Sequence, residues 1–341
     1  MSMREMTYGE AVKEAIAEEM RRDPTVFLMG EDVGKAGTVF KVLLGLHDEF
    51  GDDRVIDTPI AEAGLVGLGV GAALTGSRPI VDIMFGDFIT LAMDQIVNQA
   101  AKLRYMSGGQ AIVPITIRST MGAGRSSAAQ HSQSLHAWLA HIPGLKVAIP
   151  STPADAKGLF KSAVRDDNPV VIYEDKMMYA LKGMVPTEED YTIPFGQAHI
   201  KREGDDVSLI ATSSMVHVAL EAADALAEQG ISAEVVDPRT LVPLDRETLI
   251  ESVVKTTRAV IIDEGYKSFG ITGEIASIVY NGAFDYIDAP IVRLGAMDVP
   301  VPFSKPLEDA TIPTPEDVIK AVQDMKIIRK KNASNLSVLR R

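Results

Sequence analysis

The sequence predicts an α/β fold in two domains, each with a mostly parallel sheet covered by helices. Short runs rich in Val and Ile alternate with helical patterns along the whole chain, and almost none of the runs shows the strict polar alternation of a half-exposed sheet. The length, 341 residues, suggests two domains, each large enough to bury a core. With 46% apolar and 24% charged residues the composition is that of an ordinary globular protein, not a disordered or fibrous one.

Strands are predicted at Val26 to Met29, Arg54 to Ile56, Pro79 to Met84, Val113 to Arg118, Lys146 to Ile149 and Pro169 to Tyr173, and in a second set at Val207 to Ala211, Ala233 to Val236, Ala259 to Ile262 and Ile291 to Leu294. Helix signals fall between them. Ser151-Thr152-Pro153 supplies a cap and a first-turn proline before Ala154 to Val164, and Thr314-Pro315-Glu316-Asp317 does the same for Val318 to Met325. Ser213 or Ser214 opens a helix over Val216 to Gln229, closed by Gly230. Lys182 to Arg202 is rich in Gly, Pro and charge and lacks helical periodicity, which predicts a surface linker there. The expected organisation is a first domain over 1–185, a linker over 186–202, a second domain over 203–325 and a basic tail over 326–341.

Composition removes whole classes of chemistry. With no cysteine, the chain has no disulfide, thiolate metal ligand, iron–sulfur cluster or thiol nucleophile. The first residues, Met1-Ser2-Met3-Arg4-Glu5-Met6, lack the apolar core of a secretory signal, so a cytoplasmic location is expected. The apolar uncharged stretch Ala63 to Ser77 has 15 residues, fewer than the roughly 20 of a spanning helix. Net charge is −13, and the tail carries Lys326, Arg329, Lys330, Lys331, Arg340 and Arg341 without an acid, so the rest of the chain sums to −19. Such a body repels nucleic acid and suits basic partners.

Several motifs fail on context. Gly67-Leu68-Gly69-Val70-Gly71-Ala72 fits a loose dinucleotide pattern, but Thr58-Pro59-Ile60-Ala61-Glu62-Ala63 before it reads as a cap and helix start, not a strand. Gly64, Gly67 and Gly71 then share one helical face and point to close backbone packing rather than nicotinamide binding. No phosphate-cradling G-x-x-x-x-G-K-[ST] loop and no G-x-S-x-G elbow occurs. His131, His136 and His141 are five apart, a spacing that does not place them on one helical face for zinc.

Two places break the local rules. From Pro59 to Ser77 the only charge is Glu62, among Ala, Gly, Leu and Val. A carboxylate desolvated there has its pKa pushed up and suits proton exchange, whereas an exposed Glu near a helix N-terminus merely satisfies the dipole; both readings stand on the residues alone. The second place is Gly122 to Ser134, a small and polar segment following the strand that ends near Arg118. Ligands sit beyond the carboxyl ends of parallel strands, so His131 is placed either as a proton carrier or as a loop histidine making structural hydrogen bonds.

Ile56-Asp57-Thr58-Pro59-Ile60-Ala61-Glu62, Arg104-Tyr105-Met106-Ser107-Gly108-Gly109, Ala128-Ala129-Gln130-His131-Ser132-Gln133-Ser134, Ile142-Pro143-Gly144-Leu145-Lys146 and Asp166-Asp167-Asn168-Pro169-Val170-Val171 together resemble the beta subunit of thiamine-diphosphate-dependent 2-oxo-acid and acetoin dehydrogenases. The resemblance runs from about Thr7 to Met325. It implies a pyrimidine-binding domain followed by a transketolase C-terminal-type α/β domain. It also implies that Glu62 bonds the ring nitrogen of the cofactor's aminopyrimidine, that Phe88 stacks on that ring, and that Ile60 and Met84 line it. His131 matches the histidine that serves acyl transfer to lipoamide, and Glu31 an acidic position near the cofactor on a proton path between active sites. Ile115, Ala163, Val164, Asp166 and Asn168 match positions that hold a potassium ion.

Related thiamine enzymes bind the diphosphate through Mg2+ on a Gly-Asp-Gly motif with a downstream Asn. Here Gly51-Asp52-Asp53, Gly86-Asp87-Phe88 and Gly204-Asp205-Asp206 come near it and none fits. The resemblance therefore implies half a site, completed by an alpha subunit in an alpha-two beta-two heterotetramer. A lipoyl acyltransferase component is the implied second partner, and pyruvate, branched-chain 2-oxo acids and acetoin are the implied substrates. The alternatives are a split-subunit ketol transferase or synthase of the transketolase type, without lipoamide dependence, and a noncatalytic scaffold of the same fold.

Overall fold

The computed structural model describes residues 2–325, so the basic tail lies outside the described residues. Among the described residues two compact units are present: residues 2–196 with 239–243 and 301–305, and residues 197–238, 244–300 and 306–325.

The first unit is built on seven strands: β2 (Val26–Gly30), β3 (Val55–Asp57), β4 (Arg78–Ile83), β5 (Thr116–Met121), β6 (Lys146–Ala148), β7 (Val170–Asp175) and β12 (Thr240–Val242). Their order is β12-β6-β7-β5-β4-β2-β3, and all neighbours are parallel except β12, which pairs antiparallel with β6 at the edge. A separate antiparallel ribbon joins β1 (Met3–Thr7) to β8 (Lys182–Pro186).

Helices cover both faces. On one, α1 (Tyr8–Arg22) opens with a capping box between Thr7 and Glu10, and α6 (Pro153–Arg165) opens on the predicted Thr152 cap with Pro153 at its first position. Ile16, Leu159 and Phe160 from these helices bury against Leu28, Ile80, Val170 and Ile172, each worth about 1.5–3 kcal/mol. On the other face lies α3 (Glu62–Leu74), where a Cβ on Gly69 would stand 2.7 Å from Val81 and 2.9 Å from Ile115.

The second unit carries β9 (His199–Arg202), β10 (Val207–Ala211), β11 (Ala233–Asp237), β13 (Ala259–Tyr266) and β14 (Val292–Ala296) in the order β14-β13-β10-β11-β9, parallel except for β9. Its core joins Leu209, Val235 and Val260 to Val216 and Leu226 of α7 (Met215–Glu228) and to Val318 and Val322 of a helix over 315–325. Gly230 stops α7 with φ of 74°, a conformation glycine adopts at no steric cost.

Three expectations are corrected. The helix after β3 does not start at Thr58-Pro59: the Thr58 amide donates to the Gly30 carbonyl at 2.9 Å, which prolongs the β2–β3 ladder, so the helix begins at Glu62 with Ala61 as its cap residue. The close approach on α3 is made by Gly69, not by Gly64, Gly67 and Gly71, which face Ala61 at 3.8 Å, Gln95 at 3.6 Å and open space respectively. The segment from Lys182 to Arg202 is not without regular structure, because β8 pairs with β1 and β9 with β11 at its two ends.

Candidate active site

The β2-to-β3 connection moves to one edge of the first sheet, whereas β4 and then β5 lie on the other side of β2, so the strand order reverses between β2 and β4. The crevice outside the carboxyl ends of the strands at such a point is where open α/β sheets bind ligands. Glu31 follows β2, Met84 and Phe88 follow β4, Glu62 starts the helix after β3, and His131 lies in the loop after β5. Four adjacent strands thus deliver the five side chains to one end of the sheet.

Glu31 and Glu62 are 4% and 5% exposed. Glu62 occupies the first position of α3, where free helical amides and the dipole favour negative charge. Glu31 has one carboxyl oxygen, Oε1, that is buried without a hydrogen-bond partner. Burial pushes the Glu31 pKa up to about 6, helped by the charges of Glu62, Asp82 and Asp32 and opposed by a hydrogen bond from the Ala61 amide. A proton on this carboxyl near neutral pH is a transferable one.

Gly86 sets the next piece, a 3₁₀ turn over Gly86–Ala92. A Cβ at Gly86 would lie 2.7 Å from the Thr120 carbonyl oxygen and 2.9 Å from the Tyr173 ring, so only glycine lets the chain turn this close to β5 and β7. The turn presents Phe88, half-buried, to His131: the two rings meet edge to face at 5.2 Å, and Phe85 meets His131 at 4.8 Å. The His131 carbonyl accepts from the Lys176 ammonium, and Gln133 ties the loop to the turn by donating to Asp87 from its amide at 3.2 Å and its side chain at 2.9 Å. Met84 is half-buried, with its carbonyl accepting from Thr120 Oγ1 at 2.8 Å. Ile60 is 80% exposed.

The predicted residues thus form two groups: an acidic pair, Glu31 and Glu62, and an aromatic–imidazole group, Phe88 and His131. With Met84 and Ile60 they bring carboxyls, flat rings and apolar side chains to one end of the sheet. Among the described residues no cluster of three or more His, Cys, Asp or Glu side chains has the arrangement of a metal site.

The positions matched to a potassium ion lie together elsewhere, around the C-terminal turn of α6. There Arg78 Nη1 donates to the Val164 and Asp166 carbonyls at 3.1 and 3.0 Å, and Arg104 Nη1 to Asn168 Oδ1 at 2.8 Å. The Ala163 carbonyl accepts from the Asp166 amide at 3.2 Å and the Ile115 carbonyl from the Val170 amide at 3.0 Å. Burial works to raise the Asp166 pKa, but hydrogen bonds from Lys146 and Asn168 hold it below the usual carboxylate range.

Comparison with known proteins places these features in a family. Residues 4–182 match the transketolase pyrimidine binding domain and residues 196–318 the transketolase C-terminal domain. The beta subunit of acetoin:2,6-dichlorophenolindophenol oxidoreductase from Bacillus subtilis (strain 168) is 50% identical, the alignment covering 94% of this chain and 97% of that protein. The chain belongs to the dehydrogenase E1 beta-subunit family. Other members are similarly close: the pyruvate dehydrogenase E1 beta subunit of Rhizobium meliloti (strain 1021) is 48% identical over 94% of this chain and 70% of its own, and the 2-oxoisovalerate dehydrogenase beta subunit of Bacillus subtilis (strain 168) 46% over 94% and 98%. Among solved structures, a split-gene transketolase described as an inactive beta4 tetramer superposes with a TM-score of 0.75 at 26% identity, covering 94% of this chain and 98% of that one. The transketolase-type domains account for the mostly parallel sheets of both units.

Sequence reasoning missed Asp82, Arg118 and Glu174, which are 3%, 2% and 0% exposed and stand in a row beneath the site on β4, β5 and β7. The signal was available: Asp82 and Arg118 are the lone charges inside the apolar runs Pro79 to Met84 and Val113 to Arg118, and Glu174 directly follows Pro169 to Tyr173.

Proposed function

We propose that this E1 beta-type chain is one half of a thiamine-diphosphate-dependent 2-oxo-acid or acetoin dehydrogenase. It would act with an alpha subunit in an alpha-two beta-two heterotetramer and pass a two-electron acyl fragment to the lipoyl arm of an acyltransferase component, in the cytoplasm. The observation that carries the reading is the Glu62 carboxyl, buried at the head of α3 beside Glu31, at the strand-order reversal. When bound, thiamine diphosphate supplies the electron sink for breaking a carbon–carbon bond next to a carbonyl. Glu62 would hold the aminopyrimidine ring nitrogen and Phe88, Met84 and Ile60 its faces. Glu31 would lie on a proton path between active sites, and His131 would orient or protonate groups during acyl transfer.

The Mg2+ and diphosphate half is assigned to the alpha subunit, because this sequence has no Gly-Asp-Gly motif. Potassium would use the second lone pairs of the Ile115, Ala163, Val164 and Asp166 carbonyls with Asn168. Melting in potassium against tetramethylammonium salt tests that site: a higher Tm in potassium supports it and identical melting removes it.

Calorimetric titration of thiamine diphosphate with Mg2+ into the chain alone, and into the chain mixed with an alpha subunit encoded beside it, tests the main reading. Binding only in the mixture is expected. Tight binding to the chain alone overturns the split site, and no binding in either case moves the noncatalytic scaffold forward. The resemblance to a split-gene transketolase supports a second reading, a ketol transferase assembled from split subunits; turnover that needs no lipoamide would select it.

A further inference from the structure

Beneath the acidic pair, the guanidinium of Arg118 joins two carboxylates that are as buried as itself. Its Nε and Nη2 donate to the two oxygens of Glu174 at 2.9 and 2.7 Å, and its Nη1 donates to Asp82. The Tyr179 hydroxyl accepts from Arg118 Nη2 at 3.1 Å and donates to Glu174 at 2.9 Å, closing the network. Two carboxylates against one guanidinium leave the group one negative charge in excess when both acids are ionised; burial pushes the Asp82 pKa up, opposed by Arg118 and helped by Glu174. Uncompensated charge in a buried setting acts over a longer range than it does in water.

That excess lies next to Glu31. Asp82 pairs in register with Gly30 on one side and with Arg118 on the other. A Cβ on Gly30 would stand 2.7 Å from the Asp82 Cβ, so the absence of a side chain there lets Asp82 lie against the backbone that leads directly into Glu31. We infer that Asp82, anchored by Arg118 and Glu174, is a positioning residue for the Glu31 carboxyl, its buried negative charge keeping the Glu31 proton in place beside Glu62. The other groups around Glu31 are Glu62 at the start of α3, Asp32 next in the chain and the Ala61 amide, while Asp57 at the end of β3 accepts from the Gly34 amide at 2.7 Å. A protonated Glu31 can donate a hydrogen bond to an acceptor at the site, whereas an ionised one would repel Glu62. Asp82, held in that row on β4, β5 and β7, thus adds to burial and to the Glu62 charge in favouring the protonated form of Glu31.

The inference rests on reading Glu31 and Glu62 as the active-site pair, but its test reads a proton and not turnover. The carbonyl stretch of a protonated carboxyl disappears on ionisation, so infrared spectra of the full chain, alone and assembled with its alpha partner, can be titrated with pH. The band lost in Glu31→Gln identifies Glu31. In the parent protein it should titrate with a midpoint at about 6. In Asp82→Asn, with Arg118 and Glu174 left balanced, the midpoint should move to lower pH. An unmoved midpoint in a variant with parental circular dichroism and melting overturns the inference. Should Asp82→Asn not fold, Glu174→Gln removes the same unit of charge while keeping the Arg118–Asp82 pair, and it must shift the midpoint in the same direction. Unaffected turnover in Glu62→Gln would sink the proposed function while leaving this shift intact, so the two failures are distinguishable.

Discussion

Replacing Glu31 by Gln keeps the shape of the side chain and removes its titration, which turns a buried proton into a measurable stability. Folding lifts the Glu31 pKa from 4.5 to about 6 because burial and the charges of Glu62, Asp82 and Asp32 oppose ionisation. For a carboxyl with a raised folded-state pKa, the favourable balance is complete below the unfolded value and is lost as pH rises through the folded one. The difference of about 1.5 units corresponds to about 2 kcal/mol, and at 4% exposure there is little solvent to screen it. The parent should therefore lose about 2 kcal/mol relative to Glu31→Gln between about pH 3.5 and pH 7. Urea unfolding of both proteins across that range measures it, using the transition of the unit that holds Glu31. Titrations remote from the site are common to the two proteins, so the difference between them reports Glu31 and the carboxyls that interact with it. A difference constant with pH would refute the assignment of the raised pKa to this carboxyl.

Glu62→Gln should abolish turnover of the assembled enzyme while leaving subunit assembly intact by size-exclusion chromatography; normal turnover would remove the ring-nitrogen role. His131→Ala should reduce lipoamide acylation more than decarboxylation with an artificial acceptor, and equal losses in the two assays would count against its place in acyl transfer. Gly86→Ala drives a methyl to 2.7 Å from the Thr120 carbonyl and should cost about 1–3 kcal/mol in urea unfolding. Arg118→Met leaves Asp82 and Glu174 buried without their cation, and its melting should reveal a loss of about 3–5 kcal/mol; a smaller loss would mean that the two acids take up protons instead.

What the sequence made legible was local. The Thr152-Pro153 start of α6, the Gly230 stop of α7 and the bounds Val207–Ala211 follow from caps, a left-handed glycine and an apolar run broken only by Ser208. The capping box from Thr7 to Glu10 was equally local, and it marks α1, which the apolar runs did not announce. The strands that escaped, β1, β8, β9 and β12, are short and pair antiparallel. Met3 meets Pro186 and Thr240 meets Ala148, partners that no neighbouring residue specifies. Charge hid the ends of the central strands as well. The predicted run stopping at Arg118 continues to Met121, and the one stopping at Tyr173 continues to Asp175, because Arg118 and Glu174 neutralise each other across the sheet and need not leave it.

The two readings of Glu62 that the residues left open separate on burial. An acid that only decorates a helix dipole stays in water, yet Glu62 is 5% exposed while Ile60, two residues earlier, is 80% exposed. The usual order is inverted: the charge is inside and the isoleucine is out. Both departures cost free energy in this chain by itself, the first through desolvation of a carboxyl and the second through about 1.5–3 kcal/mol of apolar burial forgone. A ligand ring on one side and a partner's surface on the other would recover both costs at once, the ring nitrogen by bonding Glu62 and the partner by covering Ile60. In the proposed assembly, cofactor and alpha subunit are therefore not independent additions. Each completes cover that the other needs, so cofactor should tighten subunit association by the same factor by which the alpha subunit tightens cofactor binding.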